Sequence, residues 1–246
     1  MLSRLILMSL MALITRSAVC AADERSEVDR EILGVWQLKF TTPDGIVRDP
    51  VVIVGRQYEQ YLAWQVVGGE AEPFKSARLK GEKLTLVIEP SQEPDVTVTL
   101  EVELDEENRC TGTGSFRSRS DGETGQWGLT GKRLTRSDFE EYQTWKLEFE
   151  TPDYERHSPL VTVVSLDGQR YAWYQGRDHD LPARSFKLDG NRVELVVAGQ
   201  TGEGTPIEVT FRGQLEGERV KGAASFKLGG ESGEFPFEGR PNSESK

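Results

Sequence analysis

The stretch Trp36-Gln-Leu-Lys-Phe40-Thr-Thr42-Pro43-Asp44 returns 109 residues later as Trp145-Lys-Leu-Glu-Phe149-Glu-Thr151-Pro152-Asp153, identical at six of nine positions. In both copies large apolar residues alternate with polar ones and run into a Thr-Pro-Asp turn. A period of two marks a strand with one buried face. With the offset held at 109, Ala63-Trp64 falls on Ala172-Trp173, and Leu79, Gly81 and Leu86 fall on Leu188, Gly190 and Leu195. No insertion is needed from Trp36 to Glu89, so the chain reads as a tandem duplication. Beyond that the offset drifts by a residue or two, in loops: Phe116 matches Phe226 and Gly131 matches Gly239.

Each unit spans about 100 residues, long enough to enclose its own core. The boundaries read from the repeat are 34–134 and 143–241, with a short polar linker at 135–142 and a tail at 242–246. Strands alternate with turn signals such as Asp44-Gly45, Val54-Gly55-Arg56, Gly68-Gly69, Lys80-Gly81-Glu82 and Asp121-Gly122. In the first unit they lie near 36–42, 50–54, 57–66, 74–79, 83–89, 95–104, 109–117 and 124–133. Eight short antiparallel strands leave two exposed edges unless the sheet closes. The expected fold is therefore all-β: two tandem antiparallel eight-stranded up-and-down β-barrel-like domains, with a pair of β-sandwiches as the alternative.

Residues 1–22 have a different character. Arg4 precedes a ten-residue apolar run and then the small residues Ala18-Val19-Cys20-Ala21-Ala22, the pattern of an export signal. Cleavage and release is the reading, with lipidation of Cys20 as its competitor, and a short helix is expected near 26–33 in the lead-in 23–33. The expected location is periplasmic or extracellular. No later stretch reaches the roughly 20 apolar residues of a membrane-spanning helix, so an integral membrane protein is not expected.

The formal charge is −11, and −13 without residues 1–22, which hold two arginines and no acid. A chain this acidic repels phosphate backbones, which argues against nucleic acid as a partner. Of two cysteines only Cys110 would remain after cleavage, so each core must hold without an intrachain disulfide. Export without disulfides favours a bacterial source.

Gly34-Val35-Trp36 resembles the Gly-x-Trp signature of lipocalin-like and avidin-like barrels. That resemblance implies a Trp plugging one barrel end beneath a basic residue of the last strand, a place Arg133 and Arg240 would take, with a cation–π contact to the indole. The second unit has Gln143-Thr144-Trp145, without the Gly. A broader likeness covers both units. The order Trp-x-Leu-x-Phe-x-Thr-Pro-Asp, then Leu-x-Gly-x-x-Leu-x-Leu (residues 79–86) and a final Gly131-Lys132-Arg133, is similar to a small β-domain common in exported bacterial proteins. This resemblance implies fold and location, and carries over no activity.

No set of residues makes a convincing chemical site. His157 and His179 both lie in the second unit, His179 in Arg177-Asp178-His179-Asp180, which reads as a solvated loop rather than a metal or general-base site. Cys110 aligns with Val220 and reads as a small buried apolar position. Gly112 and Gly114 fall inside a strand, where bending or interior space explains them better than phosphate binding. No cofactor, metal or catalytic residue is expected. Alternation places Leu62 and Trp64 on the inner face of one strand, with Tyr171 and Trp173 in those places in the second unit. Tyr61 and Tyr174 would point outward as a platform for sugar rings or a partner. The candidate ligand-binding residues are therefore Trp64, Trp173, Tyr171, Tyr61 and Tyr174. The expected function is non-catalytic binding of a small apolar or carbohydrate-like ligand. The alternatives are a structural or protein-interaction module of the cell envelope, and a hydrolase with its site in the divergent loops of repeat 2.

Overall fold

The structure, a computed structural model, describes residues 32–67, 70–105, 107–177, 179–201 and 203–242. The expected signal peptide with Cys20, most of the lead-in helix, the Gly68-Gly69 turn and the tail beyond 242 lie outside the described residues.

The first half of the chain forms β1 (Gly34–Thr41), β2 (Val47–Arg48), β3 (Val51–Gln57), β4 (Gln60–Val67) and β5 (Glu70–Pro73), then β6 (Ser76–Lys80), β7 (Lys83–Ile88), β8 (Val96–Leu104), β9 (Arg109–Ser118) and β10 (Thr124–Arg133). β2 pairs with the end of β1, β1 pairs with β3, each strand pairs with the next from β3 to β5 and from β6 to β10, and β10 returns to β1 from Trp36↔Arg133 to Phe40↔Leu129. β5 and β6 form one broken strand. Phe74 N donates to Ala63 O on one side and Lys75 N to Val87 O on the other, which carries the ring across the break. All pairings are antiparallel, and eight strands close on themselves.

A short 3-10 turn (Arg136–Asp138) leads to the second ring. It is built from β11 (Glu141–Glu150), β12 (Arg156–His157), β13 (Leu160–Leu166), β14 (Gln169–Gln175) and β15 (His179–Asp189), then β16 (Arg192–Gln200), β17 (Pro206–Glu216), β18 (Arg219–Leu228) and β19 (Glu231–Pro241). β19 closes on β11 from Trp145↔Pro241 to Phe149↔Phe237. Among the described residues no helix is long and apolar enough to cross a membrane.

Each ring encloses its own core. Trp36, Leu38, Leu86, Leu100, Val102 and Trp127 belong to the first, and Leu147, Val161, Leu195, Phe211, Phe235 and Phe237 to the second. The repeated Thr-Pro-Asp segment is a turn device in both. Thr42 donates from both its N–H and its hydroxyl to Ile46 O, at 2.9 Å each, and Thr151 does the same to Glu155 O at 3.0 and 3.1 Å. This local bonding accounts for Thr at that position.

A third buried cluster lies between the rings. The outer face of the first contributes Val35, Val51 and Ile53, the connection Leu134, and the outer face of the second Val164 and Tyr171. Phe139, Tyr142, Val66 and Trp173 pack around them. Within the connection 135–142 it is Phe139 and Tyr142 that turn toward this cluster. The contact is extended by backbone pairing, with Gln57↔His179 and Arg56↔Asp180 joining β3 to β15. Gln57 is 5% exposed, and its amide takes both backbone groups of Gln200: Oε1 accepts from Gln200 N at 2.9 Å and Nε2 donates to Gln200 O.

The expected turn at Val54-Gly55-Arg56 is instead the interior of β3, and the chain reverses at Tyr58 and Glu59, with Tyr58 at φ 53°. Gly55 serves close approach. A Cβ there would lie 2.0 Å from Asp180 O and 2.9 Å from Pro182 Cδ, so glycine is what lets β15 reach this strand.

Candidate functional site: a cavity in the second barrel

The five aromatic residues picked from the sequence occupy different surroundings. On β4, Ala63 and Tyr61 face the first core, whereas Trp64 pairs with Ile53 and shares its outward face. On β14, Ala172 and Tyr174 face the second core, and Tyr171 and Trp173 pack in the cluster between the rings. The facing expected for this strand is thus reversed in both units. Both of its faces are buried, one in a barrel and one against the neighbouring barrel, so a large ring carries no information about which way is in. Tyr174 stacks 6.3 Å from Phe211, and burial pushes its phenol up to about 12. Burial, then the Asp167 charge, raises that of Tyr171. None of the five lines the cavity described next.

The second barrel holds an interior space of about 260 Å³. Its walls are apolar side chains from successive strands: Leu147, Val161 and Val163, then Phe186 and Leu195, then Leu215 and Val220. Trp145 lies along one side, and Phe211 and Phe237, in edge contact at 5.3 Å, lie along another. Toward one end the barrel is filled by rings, Phe149 against Phe235 at 4.9 Å and against Phe211 at 5.8 Å. The other end is open, with Glu141, Gln143 and Arg170 as its polar lining. Arg170 Nε stands 3.8 Å from Glu141 Oε2, an exposed pair too long for a hydrogen bond.

The first barrel is stoppered where the second is open. The residue 109 positions before Glu141 is Ile32, fully buried in the first core, and its carbonyl accepts a 2.9 Å bond from Trp36 Nε1. The position of Arg170 is held by Tyr61 and that of Ala183 by buried Phe74. Charged or small residues in one barrel thus stand where large apolar ones fill the other. That contrast is the signal that sequence reading could have used. Glu141 and Arg170 escape any comparison of residues common to the two units, because Ile32 and Tyr61 stand at the matching positions.

The other residues weighed from the sequence lie apart from this cavity. Cys110 is 2% exposed, and burial, then the Asp105 charge, drives its thiol up to about 12, which removes it as a nucleophile at neutral pH. His179 opens β15 rather than a solvated loop, with its ring edge-on to Tyr58 at 4.8 Å and its Nδ1 buried without a hydrogen-bond partner. His157 stacks on Phe149 at 5.1 Å. Among the described residues no three or more His, Cys, Asp or Glu side chains gather as a metal site. Arg240 does not take the place over Trp145. It pairs with Lys146 and donates to Glu148 at 3.1 Å, and Pro241 stands opposite Trp145. A larger open groove of about 590 Å³ runs outside β15 to β18, lined by charged residues such as Lys187, Glu194 and Arg212. Its polarity and openness make it the weaker site for retaining a small molecule.

No family model matches this chain, and no curated protein matches it. Among solved structures, it is similar to a candidate outer membrane protein from Bacteroides fragilis, at 11% identity over 88% of this chain and 100% of that one, with a TM-score of 0.30. A DUF3598-family protein of unknown function from Nostoc punctiforme is 12% identical over 86% and 97%, with a TM-score of 0.27. A candidate AttH protein from Nitrosomonas europaea is 10% identical over 84% and 91%, with a TM-score of 0.21. At these scores none of the three bears on fold or function.

Proposed function

We propose that this chain is an exported, non-catalytic carrier, a tandem duplication whose first barrel is a solid scaffold and whose second holds one small apolar ligand. The supporting observation is the cavity itself: about 260 Å³, apolar along its walls and open at one polar end. A 150 Å³ apolar cavity accepts benzene, so this one suits a ligand of roughly ten to twelve non-hydrogen atoms. Burying ten such carbons yields about 8 kcal/mol, of which association removes at least ~4. The surplus corresponds to a Kd of about 1 mM from hydrocarbon alone, and a charge-assisted contact at the mouth, worth about 1.5–3 kcal/mol, brings it to roughly 10–100 µM.

Of the five tryptophans only Trp145 lines the cavity. Ligands of naphthalene size should therefore change the fluorescence of the whole chain, and Trp145→Phe should abolish the change while calorimetric binding persists. A response that survives Trp145→Phe, or no binding across a panel of such ligands, refutes the reading.

A further inference from the structure

We propose that the ligand is a small apolar cation, an arylalkyl- or alkylammonium, seated with its hydrocarbon in the second barrel and its ammonium at the mouth beside Glu141. This deepens the carrier reading and rests on it. The walls offer no polar side chain deeper than Gln143, so any polar group of the ligand must stay at the open end. Which charge that end favours follows from the turns around it. Arg170, Leu188, Val193, Leu215 and Val220 line the cavity next to the turns β13–β14, β15–β16 and β17–β18, so these three turns surround the opening. They carry Asp167, Asp189, Glu216 and Glu218, all exposed, and the start of β11 adds Glu140 and Glu141. Against these six carboxylates stand three arginines, Arg170, Arg192 and Arg219.

Glu140 is engaged locally, accepting from Ser165 Oγ at 3.0 Å and from Gly168 N at 3.4 Å. Glu141 is the carboxylate that lines the cavity, and its partner Arg170 stands off at 3.8 Å. An ammonium can therefore reach Glu141 without displacing a hydrogen bond. A carboxylate ligand at Arg170 would sit inside a ring of like charge. The whole chain, at −11, adds its field in the same sense.

The test titrates the whole chain by calorimetry with three probes of matched size: 1-naphthylmethylamine, 1-methylnaphthalene and 1-naphthoic acid. The amine is expected to bind at least tenfold more tightly than the acid and several-fold more tightly than the hydrocarbon. Raising salt should weaken the amine alone. Glu141→Gln should bring the amine down to the hydrocarbon's affinity, and Arg170→Gln should strengthen the amine. An acid that binds as well as the amine, or a hydrocarbon that matches it, overturns the cation assignment and leaves the carrier standing. If none of the three binds, the carrier reading falls with it.

Discussion

Gly114 and Trp127 face each other across β9 and β10, and their counterparts across β18 and β19 are Ala224 and Phe235. The larger ring stands over the smaller residue in each case. A Cβ on Gly114 would lie 2.2 Å from Trp127 Cε2 and 2.3 Å from Nε1. The indole has little room to retreat, because Phe40 stacks on it at 5.5 Å and Phe116 at 6.4 Å. Gly114→Ala should therefore overpack the first barrel by about 2–3 kcal/mol, less ~1 kcal/mol from stiffening the unfolded chain. A net loss of about 1–2 kcal/mol lowers the melting temperature of a chain this long by roughly 2–8 °C. Trp127→Phe loses indole packing but also removes a buried Nε1–H that has no partner, a group that costs about 1–3 kcal/mol to leave unsatisfied. The double substitution installs the second barrel's own pair and should return to within about 1 kcal/mol of the parent, with a favourable coupling of at least ~1 kcal/mol. Circular dichroism melts of the four proteins complete the cycle. A harmless Gly114→Ala, or a double variant no better than the sum of the singles, would refute the claim that this barrel is solid.

Cys110 predicts an alkaline weakness. Its folded thiol is raised to about 12, so above the unfolded thiol value near 8.5 the unfolded chain releases a proton that the folded chain keeps. Stability is then full below about pH 8.5 and falls by up to ~1.4 kcal/mol per pH unit until the folded value is reached. Urea midpoints of Cys110→Val, which copies Val220, should lack the part of that slope between pH 9 and 10, and an unchanged slope would exclude the thiol as its source. Gln57→Leu strands the N–H and C=O of Gln200 at the contact between the barrels, at about 1–3 kcal/mol each; hydrogen exchange should quicken at the end of β16, and unchanged protection there would count against the bridging role. Val163→Phe pushes a ring into the cavity, where each added carbon contributes up to ~0.8 kcal/mol. It should raise stability and abolish ligand binding together, whereas a loss of 1–3 kcal/mol would mean that the space is already filled.

The repeat beginning at Trp36 and Trp145 carried the architecture, because alternation and turn spacing are local and survive in the sequence. The eight strands per ring were legible from those alone, and the burial of Cys110 from its alignment with Val220. The facing of Trp64 and Trp173 was not, because a strand buried on both sides has no polar face to betray its phase. Gly55 misled for a related reason: a glycine that admits a neighbouring backbone looks, in sequence, like one that makes a turn. The cavity was least legible of all. A void depends on volumes summed over strands from β11 to β19, and no single residue along them is unusual. Only the exchange of Ile32 for Glu141 and of Tyr61 for Arg170 marks the open mouth.

Hollowness has an energetic consequence that explains why the two barrels occur together. At about 24 cal/mol per Å³, a 260 Å³ cavity forgoes roughly 6 kcal/mol of packing, comparable to the whole net stability of an ordinary domain. A free-standing second barrel would have little left. Val35, Val51, Ile53, Leu134, Val164 and Tyr171, all at most 7% exposed, form the contact that covers its outer wall. At about 1.5–3 kcal/mol each they contribute roughly 9–18 kcal/mol as an upper estimate. This exceeds the cavity's deficit, so burial on the outside of β13 and β14 offsets the void on the inside. β13 and β14 take part on both sides, with Val161, Val163 and Arg170 lining the cavity and Val164 and Tyr171 in the contact with the first barrel. A ligand occupying the proposed site would restore part of the missing contact, and should then stabilise the second barrel by mass action, without altering the packing around Trp127.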